Sequence, residues 1–280
     1  RGTRNDMITI YDQASLKVKG EIELEKGKRF LVSAMDAKFQ LTNDKKWALV
    51  ANYTPATSIT VVDLENRKIL NDIDISGCAL SYPLGDRGFA TMCGYGEFIS
   101  INLDENAQPI SEHQSAVFND LDNDPHYVKY AAVGDVSYFP TFLGNITGVD
   151  MSGEQVSIGE TWSLLSDEDR AGGWRPGGWQ LLSADKNGML YIIMHENGFN
   201  GSHKDAGTEV WVFDPASKTR VARHKLKEKS GTILVTREDM PHLVVARKNE
   251  PFLDIYDAAS GEFRRTIKIG TPVNTLATAR

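Results

Sequence analysis

One pattern recurs six times in this chain and restricts its fold more than any other feature: alternating apolar residues, an Asp or Asn, a polar turn, and a second alternating run. The segments are MITIYDQASLKVKGEIEL (7–24), SITVVDLENRKILNDIDI (58–75), EFISINLDENAQPIS (97–111), NITGVDMSGEQVSI (145–158), EVWVFDPASKTRVARHKL (209–226) and FLDIYDAASGEFRRTIKI (252–269). Period-two alternation turns one side of each strand inward, and the Asp/Asn-rich middle supplies a turn, so each segment predicts a β-hairpin. The turn-opening residues Asp12, Asp63, Asn102, Asp150, Asp214 and Asp257 stand 51, 39, 48, 64 and 43 positions apart. Repeats of about 40–50 residues, each holding several strands, are what propeller blades show, every blade being a four-stranded sheet. The pattern predicts an all-β chain forming a single β-propeller domain over residues 1–280.

Between the hairpins lie segments expected to form the inner strands, such as FQLTNDKKWALVAN (39–52) and WQLLSADKNGMLYIIMH (179–195), each with a polar turn between apolar runs. The first hairpin has no inner strands before it, which predicts a chain that starts inside a blade, with upstream residues completing a seventh. The longest spacing holds an insertion, WSLLSDEDRAGGWRPGGW (162–179), unlike the other repeats. Ser166 followed by Asp169 resembles a capping box, and Gly172-Gly173 can stop a helix, so a helix of one or two turns followed by a Trp-, Arg- and Gly-rich loop is expected. Trp174 and Trp179 fit either an interface, where Trp and Arg are favoured, or a cap on the core.

A formal net charge of -7 and a pI near 5.4 argue against a nucleic-acid binder, which would carry a basic stripe. The basic stretch 220–229 is interrupted by apolar residues and reads as a solvated strand and turn. No apolar run approaches the roughly 20 residues of a membrane helix. Cys78 and Cys93, the only cysteines, stand fifteen positions apart without a CxxC or a nearby His, which disfavours a zinc site. They are expected on adjacent inner strands joined by the turn at Tyr82–Asp86, where a disulfide is favoured over two buried free thiols. A disulfide would imply an oxidising compartment. DLDNDP (120–125) has alternating acids but a Pro where a calcium loop needs Gly, and reads as a polar turn. His195 and His203 bracket the loop ENGFNGS, and no nucleophile, zinc-protease or phosphate-loop motif is found. A binding or subunit role is the default.

Several stretches, in order, resemble the heavy (large) subunit of the quinoprotein amine dehydrogenases: RGTRNDMITIYD (1–12), TPATSITVVDL (54–64), GC with FATMCGYG (77–78, 89–96), WSLLSDEDR (162–170), GWRPGGWQ (173–180) and GSHK (201–204). The resemblance covers essentially the whole chain. WRPGGWQ looks more like the methylamine enzymes, whereas TPATSI, WSLLSDEDR and GSHK look more like the aromatic amine enzymes. It implies a seven-bladed propeller lacking most of its first blade here, with Cys78 and Cys93 as the family's heavy-chain disulfide and no catalytic or metal-binding residue in this chain. It further implies a complex of two heavy and two light chains in the periplasm. The light chain carries tryptophan tryptophylquinone, made from two of its own tryptophans, so no cofactor belongs to this chain and its five tryptophans are not precursors. Such a complex oxidises a primary amine to aldehyde and ammonia and passes electrons to a blue-copper protein of amicyanin or azurin type. Trp174, Arg175 and Trp179 on one loop, with His195, His203 and Lys204 on another, are the candidate partner-binding residues.

Two rivals share the propeller. A non-enzymatic interaction scaffold would be a colourless monomer. A propeller hydrolase or lactonase would need acids and histidines converging on a bound metal, and no cluster in the sequence favours it.

Overall fold

The computed structural model describes residues 2–29 and 34–278, and the chain is all-β with antiparallel four-stranded blades. Two compact units are present: residues up to Phe118 together with Met151–Ser157, and Asn119–Asp150 together with Ile158–Thr278.

In the first unit a two-stranded sheet, Asp6–Tyr11 with Val18–Leu24, carries the first repeat. One blade follows from Phe39–Leu41, Trp47–Asn52, Ser58–Asp63 and Lys68–Asp74, and a second from Cys78–Leu84, Gly88–Cys93, Phe98–Leu103 and Pro109–Gln114. The strands Trp47–Asn52 and Gly88–Cys93 are buried along their whole length. They sit inside a sheet covered on both faces, which is why WALVAN and GFATMC do not alternate cleanly. Ile8, Ile22 and Leu24 of the two-stranded sheet pack on Ala48, Val50 and Val62, while Leu49, Ile59 and Val61 join Phe89 and Ile101 in the main core.

In the second unit, Ala131–Val133, Val136–Pro140, Asn145–Asp150 and Ser157–Ser163 form a blade. The last two repeats share one long strand, Thr219–Val235. It closes the blade Leu182–Ala184, Leu190–His195, Gly207–Asp214 on one side and opens the blade His242–Arg247, Phe252–Asp257, Phe263–Lys268 on the other. The outermost strand Phe263–Lys268 is exposed throughout, and its FRRTIK composition, rich in cations, is how natural sheets blunt an open edge.

Four of the hairpin turns have a common chemical cause. Asp12 accepts hydrogen bonds from the Ser15 N–H (2.9 Å) and hydroxyl (2.7 Å), Asp63 from the Asn66 N–H (2.8 Å), and Asp257 from the Ser260 N–H (2.9 Å). Asp214 likewise binds the Ala216 N–H and the Ser217 hydroxyl. The residue after each capped position swings into the left-handed region: Leu16, Arg67, Lys218 and Gly261 have φ of 54°, 56°, 56° and 73°. This is the three- to five-residue hairpin built on a type I turn. Four of these acids hold depressed pKa values for the same reason, and Asp257, held by the Ser260 N–H and then by Arg264, is pulled down to about 2. The third repeat departs from expectation: its turn is capped by Asp104, not Asn102, because the strand continues to Leu103. Asn102 instead donates to Ser111 Oγ from within the strand.

Cys78 and Cys93 face each other across the pair Cys78–Leu84 and Gly88–Cys93, with Cα atoms 3.9 Å apart, and their sulfurs are bonded. Both are buried. Closing a loop of this length constrains the unfolded chain by about 3 kcal/mol. The double substitution Cys78→Ser, Cys93→Ser is expected to lower unfolding free energy by about that amount in a urea titration, and a loss too small to resolve would show that the strand pairing alone holds this hairpin.

Candidate functional site

In the second unit, the links between second and third strands (141–144, 196–206) and the segments entering the blades (119–130, 164–181) lie at the strand ends opposite the Asp-capped turns, as antiparallel order requires. The two loops singled out in the sequence meet here. Arg175–Pro176 pairs antiparallel with Met194–His195, the Gly198 N–H donates to Gly173 O (2.7 Å), and the Gly178 N–H donates to His203 O (3.1 Å).

The insertion folds as expected over Asp167–Ala171, with Ser166 and Asp169 in a reciprocal capping box. Gly173, at φ 68°, makes the left-handed turn, and Gly172 stays right-handed. What anchors this helix lies in the basic stretch that reads as solvated. Arg220 bonds Asp169 at 2.6 Å, and Arg223 lies 2.7 Å from Glu209 and 3.5 Å from Asp169. Both guanidiniums stack on the fully buried Trp211, at 4.3 and 4.5 Å, and Arg223 also covers Trp174 at 4.7 Å. Trp211 Nε1 donates to Glu209 (2.7 Å). Burial pushes the Asp169 carboxyl up, but the Ser166 N–H and Arg220 outweigh it and hold it below the usual carboxylate range. Trp174 is therefore core in this chain, 5.0 Å from Trp211, and takes the second of its two sequence readings.

The GWRPGGWQ stretch has a steric explanation. A side chain on Gly177 would meet the His195 ring at 2.6 Å and the Asp205 carbonyl at 2.7 Å, and one on Gly178 would strike Gly231 O at 2.7 Å. These two glycines let the loop press against its neighbours, after which the Trp179 and Gln180 N–H groups donate to Gly231 O (2.6 and 3.0 Å). Arg175 is half-buried, its stem passing over Gly198. His195 is buried, with Nδ1 3.1 Å from Glu196 O and Nε2 without a hydrogen-bond partner among the described residues.

Sequence reasoning did not find the aromatic residues that seat the second loop. The one hydroxyl proton of Tyr127 is shared between Pro176 O (2.8 Å) and His203 O (3.0 Å), and the Phe142 and His203 rings stack at 4.2 Å, 8° from parallel. Burial, then the charges of Lys204 and Lys129, hold the His203 pKa below its ordinary value. Lys129 sits 4.2 Å over the Trp179 ring. Burial and the charge of Lys204 push its ammonium down to about 8. Trp179 and the exposed Lys204 line a cleft of about 160 Å³ with Thr232, Arg247, Lys248 and Asn274. Trp179, Lys204 and His203 thus come together, whereas Trp174 is drawn into the core.

DLDNDP is a self-capped turn. Asp120 accepts from the Asp122 and Asn123 N–H groups, and Asp124 from the Leu143 N–H and the Asn145 amide.

Residues 1–279 match the family model described as methylamine dehydrogenase heavy chain. The chain belongs to the methylamine dehydrogenase heavy chain family. Among heavy chains of that name, the one from Methylobacillus flagellatus is 25% identical over 94% of this chain and 66% of its own length. The Paracoccus versutus one is 26% identical over 95% and 62%. This family member therefore spans less than two thirds of the length of those relatives. Among solved structures, the β-propeller domain of Myceliophteria thermophila Cps50 (Swd1) superposes with a TM-score of 0.62 at 12% identity, covering 95% of this chain and 81% of that one. Dihydro-heme d1 dehydrogenase NirN gives a TM-score of 0.57 at 15% identity, covering 95% and 53%. Identities this low speak to fold alone, and the fold they share with this heavy-chain family member is the β-propeller.

Proposed function

We propose that this chain acts as the heavy subunit of a periplasmic amine dehydrogenase dependent on tryptophan tryptophylquinone. The observation that carries the reading is the family match over residues 1–279. The reaction converts a primary amine and water to aldehyde and ammonia, releasing two protons and two electrons that pass singly to a blue-copper protein of amicyanin or azurin type. The quinone, borne by the light chain, supplies the oxidation chemistry; the heavy chain supplies a rigid seat, orientation and exclusion of water. The family's name favours methylamine over an aromatic amine as substrate. A buried disulfide supports an oxidising compartment such as the periplasm.

For the light chain we assign the surface formed by the Trp179 loop and the 196–206 loop, where Lys204 and Phe199 are exposed. These loops are pinned by backbone hydrogen bonds and ring stacking rather than left free, so docking need not first order them. Behind these loops Tyr127 and Phe142 hold the second one in place. Native mass spectrometry of the complex isolated through this chain is expected to show two heavy and two light chains. Recovery of this chain alone from its native source would remove the subunit reading and leave the free-standing scaffold.

A further inference from the structure

The cleft beside Trp179 gathers positive charge that the folded chain does not neutralise. Lys129, Lys204 and Lys248 lie in or beside it, although the protein as a whole carries a net charge of -7. Among the described residues none of the three has an ion pair. The fourth cation, Arg247, is already committed to two carboxylates, Asp254 through bonds of 2.8 and 2.9 Å and Glu250 at 3.4 Å. Lys129 is half-buried, and among the described residues its one hydrogen bond is a long one, 3.5 Å to Gly178 O. Partly desolvated like charges without a counter-charge are costly, and an anion placed among them would relieve that cost.

The walls decide what kind of anion fits. Trp179, Ala246 and Val273 supply apolar surface, and Asn249 and Asn274 supply amides. At about 160 Å³ the space falls below the roughly 300–1,000 Å³ of pockets that hold drug-sized ligands, so it suits a fragment with one ring. The cleft is formed in advance. Trp179 and Gln180 hang on Gly231 O, Thr232 Oγ1 donates to Asn274 O (3.0 Å), and the Gln180 amide both donates to Leu276 O and accepts from its N–H (3.0 Å each).

We propose that this cleft binds a small carboxylate with a flat apolar body, the carboxylate held by Lys129, Lys204 and Lys248 and the apolar part lying against Trp179, Ala246 and Val273. The inference uses only this chain's own side chains; because the cleft shares Trp179 and Lys204 with the surface assigned to the light chain, it concerns the chain free of that partner.

The test uses the 280-residue chain, benzoate as probe and benzamide as its uncharged counterpart, with tryptophan fluorescence and calorimetry as readouts. Benzoate is expected to saturate with a Kd on the order of 1 mM or tighter, and benzamide to bind at least about tenfold more weakly. Lys129→Gln and Lys204→Gln should each weaken benzoate by about tenfold, the loss of one charge-assisted contact, and leave benzamide unchanged. Lys204 is exposed, so Lys204→Gln keeps the test open even if Lys129→Gln disturbs the loop. Equal binding of the two probes, no saturation by benzoate, or undiminished benzoate affinity in Lys204→Gln would each overturn the proposal.

Discussion

Asp169→Ala is expected to lower unfolding free energy by about 3–5 kcal/mol, because it strips two guanidiniums of a buried partner and removes half of a capping box. Asp169 is 5% exposed and ties together the helix Asp167–Ala171, Arg220 and Arg223, which in turn hold Trp174 on Trp211. Urea unfolding followed by tryptophan fluorescence reads both the stability and the environment of those rings. Asp169→Asn, which keeps a capping oxygen and loses the charge, is expected to lose less. The pH dependence follows from the sign of the shift. The folded-state pKa is depressed, so the stabilisation is fully present above the ordinary carboxylate range and is lost as pH falls through the folded value. A loss below about 1 kcal/mol, the range of exposed pairs, would mean the insertion is not anchored here.

Asp254→Ala is expected to cost a similar amount, about 3–5 kcal/mol, for a simpler reason. Asp254 is fully buried and takes both Arg247 bonds and the Thr266 hydroxyl (2.6 Å). Burial pushes its carboxyl up, but the Arg247 and Thr266 hydrogen bonds prevail and hold it down. Removing Asp254 leaves Arg247 half-buried without its main counter-charge. Pairing the change with Arg247→Met should restore much of the loss, since an apolar pair needs no compensation. If the double variant is as unstable as the sum of the singles, the two residues act independently and the ion pair is not the source of the effect.

The repeated hairpins were legible because their signal is local: an Asp three residues before a Ser or Asn builds the turn wherever it stands. Asn102 misled because the same segment offers a carboxylate, Asp104, two positions on. Inner strands such as LYIIMH were legible as apolar runs, and their burial on both faces explains why they do not alternate. The role of Arg220 and Arg223 was hidden by a bulge. Three positions apart, they would point to opposite faces of a regular strand, but Val212 pairs with Ala222 and Phe213 with Arg220, and the extra residue brings both onto Trp211. GWRPGGWQ was visible as a motif, yet the need for its glycines lies in His195 and Gly231, far along the chain. The cation cluster was out of reach for the same reason: Lys129, Lys204 and Lys248 come from three separate segments, and only Lys204 was singled out.

The most direct measurement on the central claim is the visible spectrum of the native complex isolated through this chain, before and after addition of methylamine. The heavy-subunit account predicts a quinone band carried by a small co-isolated subunit that bleaches on addition of the amine. A colourless preparation, or a band indifferent to primary amines, would contradict it.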